Sequence, residues 1–127
     1  MTQATMAKKI LLVDDSTTSQ LKTRSIFGND EAYEFVSASD GKEGVEKALT
    51  EKPDLILMDV EMPRMTGIEA CREIRKNLAT KNIPIILMTM RSEASFIKAG
   101  RDSGCTDYLF KPVDGEKLRA VVKKLIT

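Results

Sequence analysis

Short apolar runs recur along the chain, and each is followed by a segment whose apolar residues lie three or four positions apart. The runs are mostly continuous rather than alternating, which is typical of strands buried on both faces of a parallel sheet. Five strands are predicted in this way, at Lys8–Val13, Tyr33–Ala38, Leu55–Met58, Ile85–Met88 and Asp107–Phe110. Their alternation with helices predicts a parallel sheet covered by helices on both faces.

Five helices are predicted between and after these strands. The first begins after Ser16, a favourable N-cap residue, and continues to about Phe27 with a weak apolar stripe. The last has the clearest apolar face, formed by Leu118, Val121, Val122 and Leu125. The second helix is indicated by an apolar face of Val45, Ala48 and Leu49. The third is indicated by three-to-four spacing of Ile68, Cys71, Ile74 or Arg75, and Leu78. The fourth is predicted from about Glu93 to Asp102.

The length and the charge balance narrow the class of protein. A chain of 127 residues suits one domain, and we expect residues 1–127 to form it, with residues 1–6 as a disordered tail. A net charge of +1 gives no electrostatic reason for binding nucleic acid or an anionic membrane. No apolar run reaches the length of a membrane span, and the polar start lacks a signal-peptide core. These features predict a cytoplasmic protein.

The chain contains no histidine, which excludes several kinds of chemistry. Its own residues cannot form a Ser-His-Asp or Cys-His nucleophile, a histidine-ligated metal site or a phosphohistidine. The two cysteines, Cys71 and Cys105, lack metal-ligand spacing and are predicted to be reduced core residues. Any reaction must therefore depend on Asp, Glu, Lys, Ser, Thr, Tyr or a metal ion.

Polar side chains follow four of the five predicted strands at the point where each strand ends. They are Asp14 and Asp15 after the first strand, Asp59 after the third, Thr89 after the fourth and Lys111 after the fifth. In open α/β sheets, ligands bind at this edge, near the point where the strand order reverses. Each residue alone would more often be a helix cap or a solvated surface group. The ordered set predicts a shared site.

The charges of this set indicate what the site binds. Three neighbouring carboxylates repel one another unless a cation is present, and one lysine compensates only part of their charge. Oxygen ligands with open positions suit Mg²⁺, which is commonly shared with a phosphate. Asp59 could then act as a nucleophile, while Lys111 and Thr89 hold the phosphoryl oxygens.

These residues and their surroundings resemble the receiver domains of bacterial response regulators, particularly the stand-alone chemotaxis type. The resemblance covers roughly Lys8 to Ile126. It is carried by four motifs: Ile10-Leu-Leu-Val-Asp14-Asp15-Ser16, Asp54-Leu-Ile-Leu-Met-Asp59-Val-Glu-Met62-Pro63-Arg-Met-Thr-Gly67, Pro84-Ile-Ile-Leu-Met-Thr89 and Asp107-Tyr108-Leu-Phe-Lys111-Pro112. The resemblance implies a flavodoxin-like (βα)5 three-layer sandwich with a five-stranded parallel sheet in the order 2-1-3-4-5.

The resemblance also implies a role for each site residue. Asp59 would be the phosphoacceptor, and Thr89 and Lys111 would bind the phosphoryl group. Mg²⁺ would be held by Asp14, Asp15, Asp59 and the backbone carbonyl of Glu61. Tyr108 would be the switch aromatic that turns inward as Thr89 moves, and Lys111-Pro112 would be a cis peptide bond.

Partners follow from the same resemblance. The phosphoryl donor would be a sensor histidine kinase or a histidine phosphotransfer protein, and the output would be an unknown protein target bound through the surface of the fourth helix, fifth strand and fifth helix. The protein would be a monomer or a phosphorylation-dependent dimer. It would not be an enzyme beyond taking up and hydrolysing its own phosphoryl group.

One position departs from the common pattern of the family, because Met90 follows Thr89 where a small residue is usual. By resemblance, Glu61 and Arg91 flank the face from which water attacks the phosphoryl group. Their opposite charges suggest an ion pair across that face, with Met90 adding bulk beside it. This arrangement would slow the loss of the phosphoryl group.

Two alternatives remain open. A phosphatase of the haloacid dehalogenase type also places an aspartate nucleophile after its first strand, but it requires Asp-x-Asp where this chain has Asp14-Asp15-Ser16. A degenerate receiver that binds partners without phosphorylation is the second alternative. Turnover of an external phosphomonoester would favour the first, and failure to take up a phosphoryl group would favour the second.

Overall fold

The sheet consists of five parallel strands, as predicted. In the computed structural model, which describes residues 7–126, they are β1 (Lys8–Val13), β2 (Tyr33–Ala38), β3 (Leu55–Asp59), β4 (Ile85–Thr89) and β5 (Asp107–Phe110). They pair in the order β2-β1-β3-β4-β5, which is the order that the resemblance implies. Two strands extend one residue further than predicted, so Asp59 and Thr89 are the last residues of β3 and β4.

Five helices connect and follow the strands. They are α1 (Thr17–Phe27), α2 (Gly41–Glu51), α3 (Gly67–Lys76), α4 (Ala94–Asp102) and α5 (Gly115–Ile126). The Ser16 hydroxyl caps α1 by accepting a 3.2 Å hydrogen bond from the Ser19 amide, as expected of an N-cap serine. At the start of α3, Thr66 and Glu69 form a reciprocal capping box.

Two predicted core residues lie outside the core. Leu78 is 82% exposed, because α3 ends at Lys76 and Asn77 has an extended backbone. The Thr80 hydroxyl then donates a 2.6 Å hydrogen bond to the Ile74 carbonyl at the end of the helix. Leu49 is 38% exposed, because the buried side of α2 is centred on small residues, among them Ala48, and leaves Leu49 at its margin.

The core is divided into two clusters by the sheet. Leu11 and Val13 of β1 contribute to the cluster beneath α2, α3 and α4, whereas Ile10 and Leu12 contribute to the cluster beneath α1 and α5. Because successive residues of a strand point to opposite faces, burial of both faces requires a continuous apolar sequence. The result is the predicted three-layer sandwich, and the more polar β2 is an edge strand of its sheet.

The remaining fold-level expectations concern the cysteines, the membrane and the chain start. Both cysteines are free thiols; Cys71 is buried and Cys105 is half-buried against the same cluster. Within residues 7–126, no helix combines the length and apolar character that crossing a bilayer requires. The predicted disordered tail, residues 1–6, lies outside the described residues.

Candidate functional site

The topology brings the predicted site residues to one edge of the sheet. Asp14 directly follows β1, Asp59 and Thr89 end β3 and β4, and Lys111 directly follows β5. The chain passes from β1 to β2 on one side and returns to β3 on the other side of β1. The strand order therefore reverses beside Asp14 and Asp59, where α/β sheets form ligand sites.

Three aspartates form an acidic cluster at this point. One carboxylate oxygen from each of Asp14, Asp15 and Asp59 lies within 4.8 Å of the others. Asp14 and Asp59 are buried, whereas Asp15 is exposed. Asp14 Oδ1 accepts a 2.9 Å hydrogen bond from the Ser16 amide, but Asp14 Oδ2 is buried and has no hydrogen-bond partner among the described residues. A buried carboxylate oxygen without a partner is costly, and a bound cation would satisfy it.

Lys111 contacts Asp59, one of the two buried aspartates of the cluster. Its Nζ atom lies 2.9 Å from Asp59 Oδ1, in a pair that is largely shielded from solvent. Burial nevertheless raises the pKa of Asp59 to about 6, although Lys111 acts to lower it. The peptide bond between Lys111 and Pro112 is cis, as expected from the resemblance.

Gly67 allows the chain after β3 to pack closely against the site. A Cβ atom at this position would lie 2.2 Å from the Asp59 carbonyl oxygen, which no side chain can tolerate. The Gly67 amide donates a 3.0 Å hydrogen bond to the Val60 carbonyl. The glycine of the predicted motif is thus required by the close approach of α3 to the end of β3.

The Thr89 hydroxyl contacts the Glu61 side chain, for which the sequence analysis suggested a different partner, Arg91. It donates a hydrogen bond to Glu61 Oε2, and the Met90 amide donates a 3.1 Å hydrogen bond to Glu61 Oε1. Thr89 Oγ1 also accepts a 3.0 Å hydrogen bond from the Arg91 amide. The carboxylate of Glu61 therefore spans two neighbouring donors of the loop after β4, and nothing in the local sequence pattern indicates this contact.

The predicted ion pair between Glu61 and Arg91 is wrong. Arg91 Nε lies 3.0 Å from both carboxylate oxygens of Glu93, and its guanidinium group lies 4.6 Å from the centroid of the Phe96 ring. Glu93 is two residues from Arg91 in the sequence, and the Glu61 carboxylate is already bound by Thr89 and Met90. Met90 is 71% exposed, so its side chain does not pack over the site.

Tyr108 packs against a gap in α4. A Cβ atom on Gly100 would lie 2.5 Å from Tyr108 Cε2, so the ring occupies the space that a larger residue would fill. The Tyr108 hydroxyl is enclosed and makes no hydrogen bond of good geometry among the described residues. Burial raises its pKa, although the nearby Thr89 hydroxyl acts to lower it. The ring therefore lies on the α4 side of β5, partly buried against the core.

Comparison with known proteins agrees with this geometry. The family model for the response regulator receiver domain matches residues 10–123. Protein PilH of Pseudomonas aeruginosa is 36% identical over 118 residues, which are 93% of this chain and 97% of PilH. Sporulation initiation phosphotransferase F of Bacillus subtilis is 33% identical over 121 residues, which are 95% of this chain and 95% of that protein. Several other curated relatives are longer, and the matched region spans between 29% and 51% of their length.

Solved structures of receivers have the same fold as this chain. Chemotaxis protein CheY4 of Vibrio cholerae superposes with a TM-score of 0.86 at 32% identity, covering 94% of this chain and 99% of CheY4. The receiver domain of sensor histidine kinase PA1611 from Pseudomonas aeruginosa has a TM-score of 0.86 at 29% identity, covering 95% of this chain and 98% of that domain. That structure has a magnesium ion coordinated in its active-site cleft.

The chain therefore belongs to the response regulator receiver domain family and is a receiver of two-component signal transduction. Membership favours this reading over the haloacid dehalogenase-type phosphatase. Receivers interact with histidine kinases or phosphotransfer proteins and bind Mg²⁺ at an acidic site, and this chain has a cluster of three aspartates at the corresponding edge of its sheet.

Proposed function

We propose that Asp59 accepts a phosphoryl group in a Mg²⁺-dependent reaction, and that this phosphorylation controls binding of a partner protein. The single observation that supports this most is the setting of Asp59. Its carboxylate is 4% exposed, lies 2.9 Å from Lys111 Nζ and belongs to the cluster that contains the unpartnered Asp14 Oδ2. Few other functions require a buried carboxylate between an ammonium and two further carboxylates.

The carboxylates of Asp14, Asp15 and Asp59 and the backbone carbonyl of Glu61 would hold Mg²⁺. When bound, the ion neutralises the excess negative charge of the cluster and orients the incoming phosphoryl group. The unpartnered Asp14 Oδ2 supports this donor set, because carboxylate and carbonyl oxygens are the ligands that Mg²⁺ prefers.

The chain's own residues would carry the transfer. A carboxylate oxygen of Asp59 forms a bond to phosphorus as the bond between phosphorus and the donor breaks, and the donor leaves with the electron pair. Lys111 donates from its ammonium group to the phosphoryl oxygens, and Thr89 does so from its hydroxyl group. This transfer requires placement and charge neutralisation, which a rigid sheet edge provides.

The donor cannot be a phosphohistidine within these 127 residues, which contain no histidine. We propose that it is a phosphohistidine of a sensor histidine kinase or a phosphotransfer protein in the cytoplasm. The signal would pass to a protein target through α4, β5 and α5, where Tyr108 packs on Gly100. The only reaction we propose beyond this uptake is hydrolysis of the protein's own phosphoryl group.

Intact-mass analysis after incubation with acetyl phosphate and Mg²⁺ tests the proposal. We expect one added phosphoryl group on the wild type, none on Asp59→Asn, and strongly reduced uptake in Asp14→Ala, in Asp15→Ala and in excess chelator. Asp54→Asn is the matched control, because Asp54 precedes β3 at the opposite end of that strand and accepts a 2.7 Å hydrogen bond from the Lys9 amide. Absence of uptake by the wild type would instead support the degenerate receiver.

A further inference from the structure

The side chain of Glu61 occupies a donor that the proposed mechanism assigns to the phosphoryl group, the Thr89 hydroxyl, and with it the neighbouring Met90 amide. Glu61 Oε2 accepts the hydrogen bond of the Thr89 hydroxyl, and Glu61 Oε1 lies 3.1 Å from the Met90 amide nitrogen. The two donors are adjacent in sequence and bind one anion through two of its oxygens. A phosphoryl group presents the same chemistry, namely oxygen acceptors on a negatively charged centre.

Glu61 is also close enough to influence Asp59 electrostatically. Burial is the main cause of the raised pKa of Asp59, and the charges of Asp14 and Glu61 raise it further. A phosphoryl group on Asp59 would therefore form in the field of the Glu61 carboxylate. The geometry of the hydrogen bonds and the position of the charge lead to the same expectation.

We propose that the Glu61 carboxylate is an internal competitor of the phosphoryl group: it holds the Thr89 hydroxyl and the Met90 amide before phosphorylation and must release them afterwards. This inference rests on the proposed function, because it assumes that the phosphoryl group is on Asp59. Glu61 is a positioning residue in this account, acting through Thr89 and Met90. Its effect is to weaken the binding of a phosphoryl group, or of a phosphoryl mimic, at Asp59.

The competition has a defined physical cost. A hydrogen bond to a charged acceptor is stronger than one to a neutral acceptor, so the donors leave Glu61 only for another anion. After release, the Glu61 carboxylate and the phosphoryl group are neighbouring like charges, which disfavours the occupied state again. Removing the Glu61 carboxylate removes both the hydrogen bonds that must break and the repulsion between like charges.

Titration with beryllofluoride, which mimics a phosphoryl group on an aspartate, measures the affinity of the site for a phosphoryl mimic. At saturating Mg²⁺, calorimetry should give about tenfold tighter binding for Glu61→Ala than for the wild type. Glu61→Gln keeps an acceptor oxygen without the charge, so its affinity should lie between the two. Equal or weaker binding by Glu61→Ala would overturn the inference, since it would mean that Glu61 has no effect or prepares Thr89 for the phosphoryl group.

A matched variant distinguishes the effect of the Glu61 hydrogen bonds from the effect of a negative charge near the site. Glu93→Ala removes one negative charge from the loop after β4, which contains Met90, but Glu93 pairs with Arg91 and its carboxylate is largely exposed. We expect beryllofluoride affinity to change less than twofold in this variant, and a change equal to that of Glu61→Ala would contradict the role of the hydrogen bonds.

Amide NMR spectra add a readout that a purely structural role would leave unchanged. Without beryllofluoride, the Met90 amide proton should shift upfield in Glu61→Ala, because it has lost its carboxylate acceptor. An unmoved Met90 resonance would overturn the inference. If the wild type binds no beryllofluoride while remaining folded, the assignment of Asp59 fails and the inference fails with it, whereas equal binding by all variants defeats the inference alone.

Discussion

At the scale of single residues, Asp59 is held in an environment that disfavours its own charge. The carboxyl group is 4% exposed, and its pKa is raised to about 6 from the ordinary 3.8 chiefly by burial. Lys111 offsets only part of this effect. An ionised Asp59 therefore destabilises the metal-free fold, a cost that is common where a side chain is retained for function rather than stability.

Replacing Asp59 with asparagine should stabilise the metal-free protein at pH 7. The folded protein retains a proton on Asp59 between its pKa of about 6 and the ordinary value of 3.8, where the unfolded chain has released it. Wild-type stability consequently falls as the pH rises through that window. We expect the variant to gain about 1–2 kcal/mol at pH 7, less than the pKa shift alone implies, because asparagine leaves the Lys111 ammonium without its carboxylate partner.

Urea denaturation in chelator at pH 4 and pH 7 measures this gain. The difference between Asp59→Asn and the wild type should be largest at pH 7 and small at pH 4. Asp54→Asn, the same substitution at the other end of β3, should not gain stability at pH 7, because it weakens an acceptor of the Lys9 amide. A variant less stable than the wild type at pH 7 would contradict the stated cost of the Asp59 charge.

At the scale of elements, α4 packs closely against β5 where Gly100 meets Tyr108. The Tyr108 ring of β5 lies against Gly100 of α4, and a Cβ atom there would come within 2.5 Å of Tyr108 Cε2 and 3.0 Å of Tyr108 Cδ2. The α4 helix has only one fully buried residue, Gly100, and its N-cap Glu93 makes no side-chain capping hydrogen bond. The position of Tyr108 and the position of α4 are therefore interdependent.

Substituting Gly100 with alanine should displace the Tyr108 ring. Glycine to alanine inside a helix ordinarily stabilises by about 1 kcal/mol, but here the added methyl group collides with the ring. We expect a net loss of about 1–2 kcal/mol in urea denaturation and a large shift of the Tyr108 aromatic resonances.

Gly115→Ala provides the control for this substitution. A Cβ atom at Gly115, the first residue of α5, would have ordinary contacts of 3.4 Å or more. This variant should be as stable as the wild type or more stable, with unchanged Tyr108 resonances. The same behaviour in Gly100→Ala would show that α4 moves freely and that the contact does not couple the two elements.

At the scale of the whole molecule, the acidic cluster joins residues far apart in the chain. Asp14 and Asp15 follow β1, and Asp59 ends β3, so one bound cation links two neighbouring strands of the sheet. The unfolded chain has no such arrangement and therefore no comparable binding site. Binding to the folded state alone stabilises it by mass action.

Mg²⁺ should accordingly raise the stability of the protein, by about 2.7 kcal/mol at one hundred times its dissociation constant. Thermal denaturation at constant ionic strength measures the effect. The gain should shrink below about pH 6, because a proton on Asp59 competes with the cation.

Asp14→Asn should lose most of the gain, and Asp102→Asn on the exposed side of α4 should keep it. What is compared is the gain that Mg²⁺ produces in each variant, because removing a clustered charge can itself stabilise the metal-free protein. Equal gains in Asp14→Asn and the wild type would contradict the assignment of the acidic cluster as the metal site.

The sequence alone determined the elements and the edge of the sheet on which the polar residues lie. Continuous apolar strands and helical spacing are short-range patterns imposed by burial on both faces of the sheet. They can be recognised in the sequence without knowing the fold. The residues Asp14, Asp59, Thr89 and Lys111 could be grouped because parallel strands end at one edge. The strand order was not contained in the pattern and came from the resemblance.

Only the tertiary structure decided which side chains meet across that edge. The contact of Glu61 with Thr89, the pairing of Arg91 with Glu93 and the exposure of Leu78 all depend on the paths of the chain after each strand and helix. These paths are fixed by close contacts such as that of Gly67 with the Asp59 backbone. Such contacts leave no periodic pattern in the sequence. Periodicity reports which face is buried, whereas a contact between distant residues depends on the whole arrangement of packed elements.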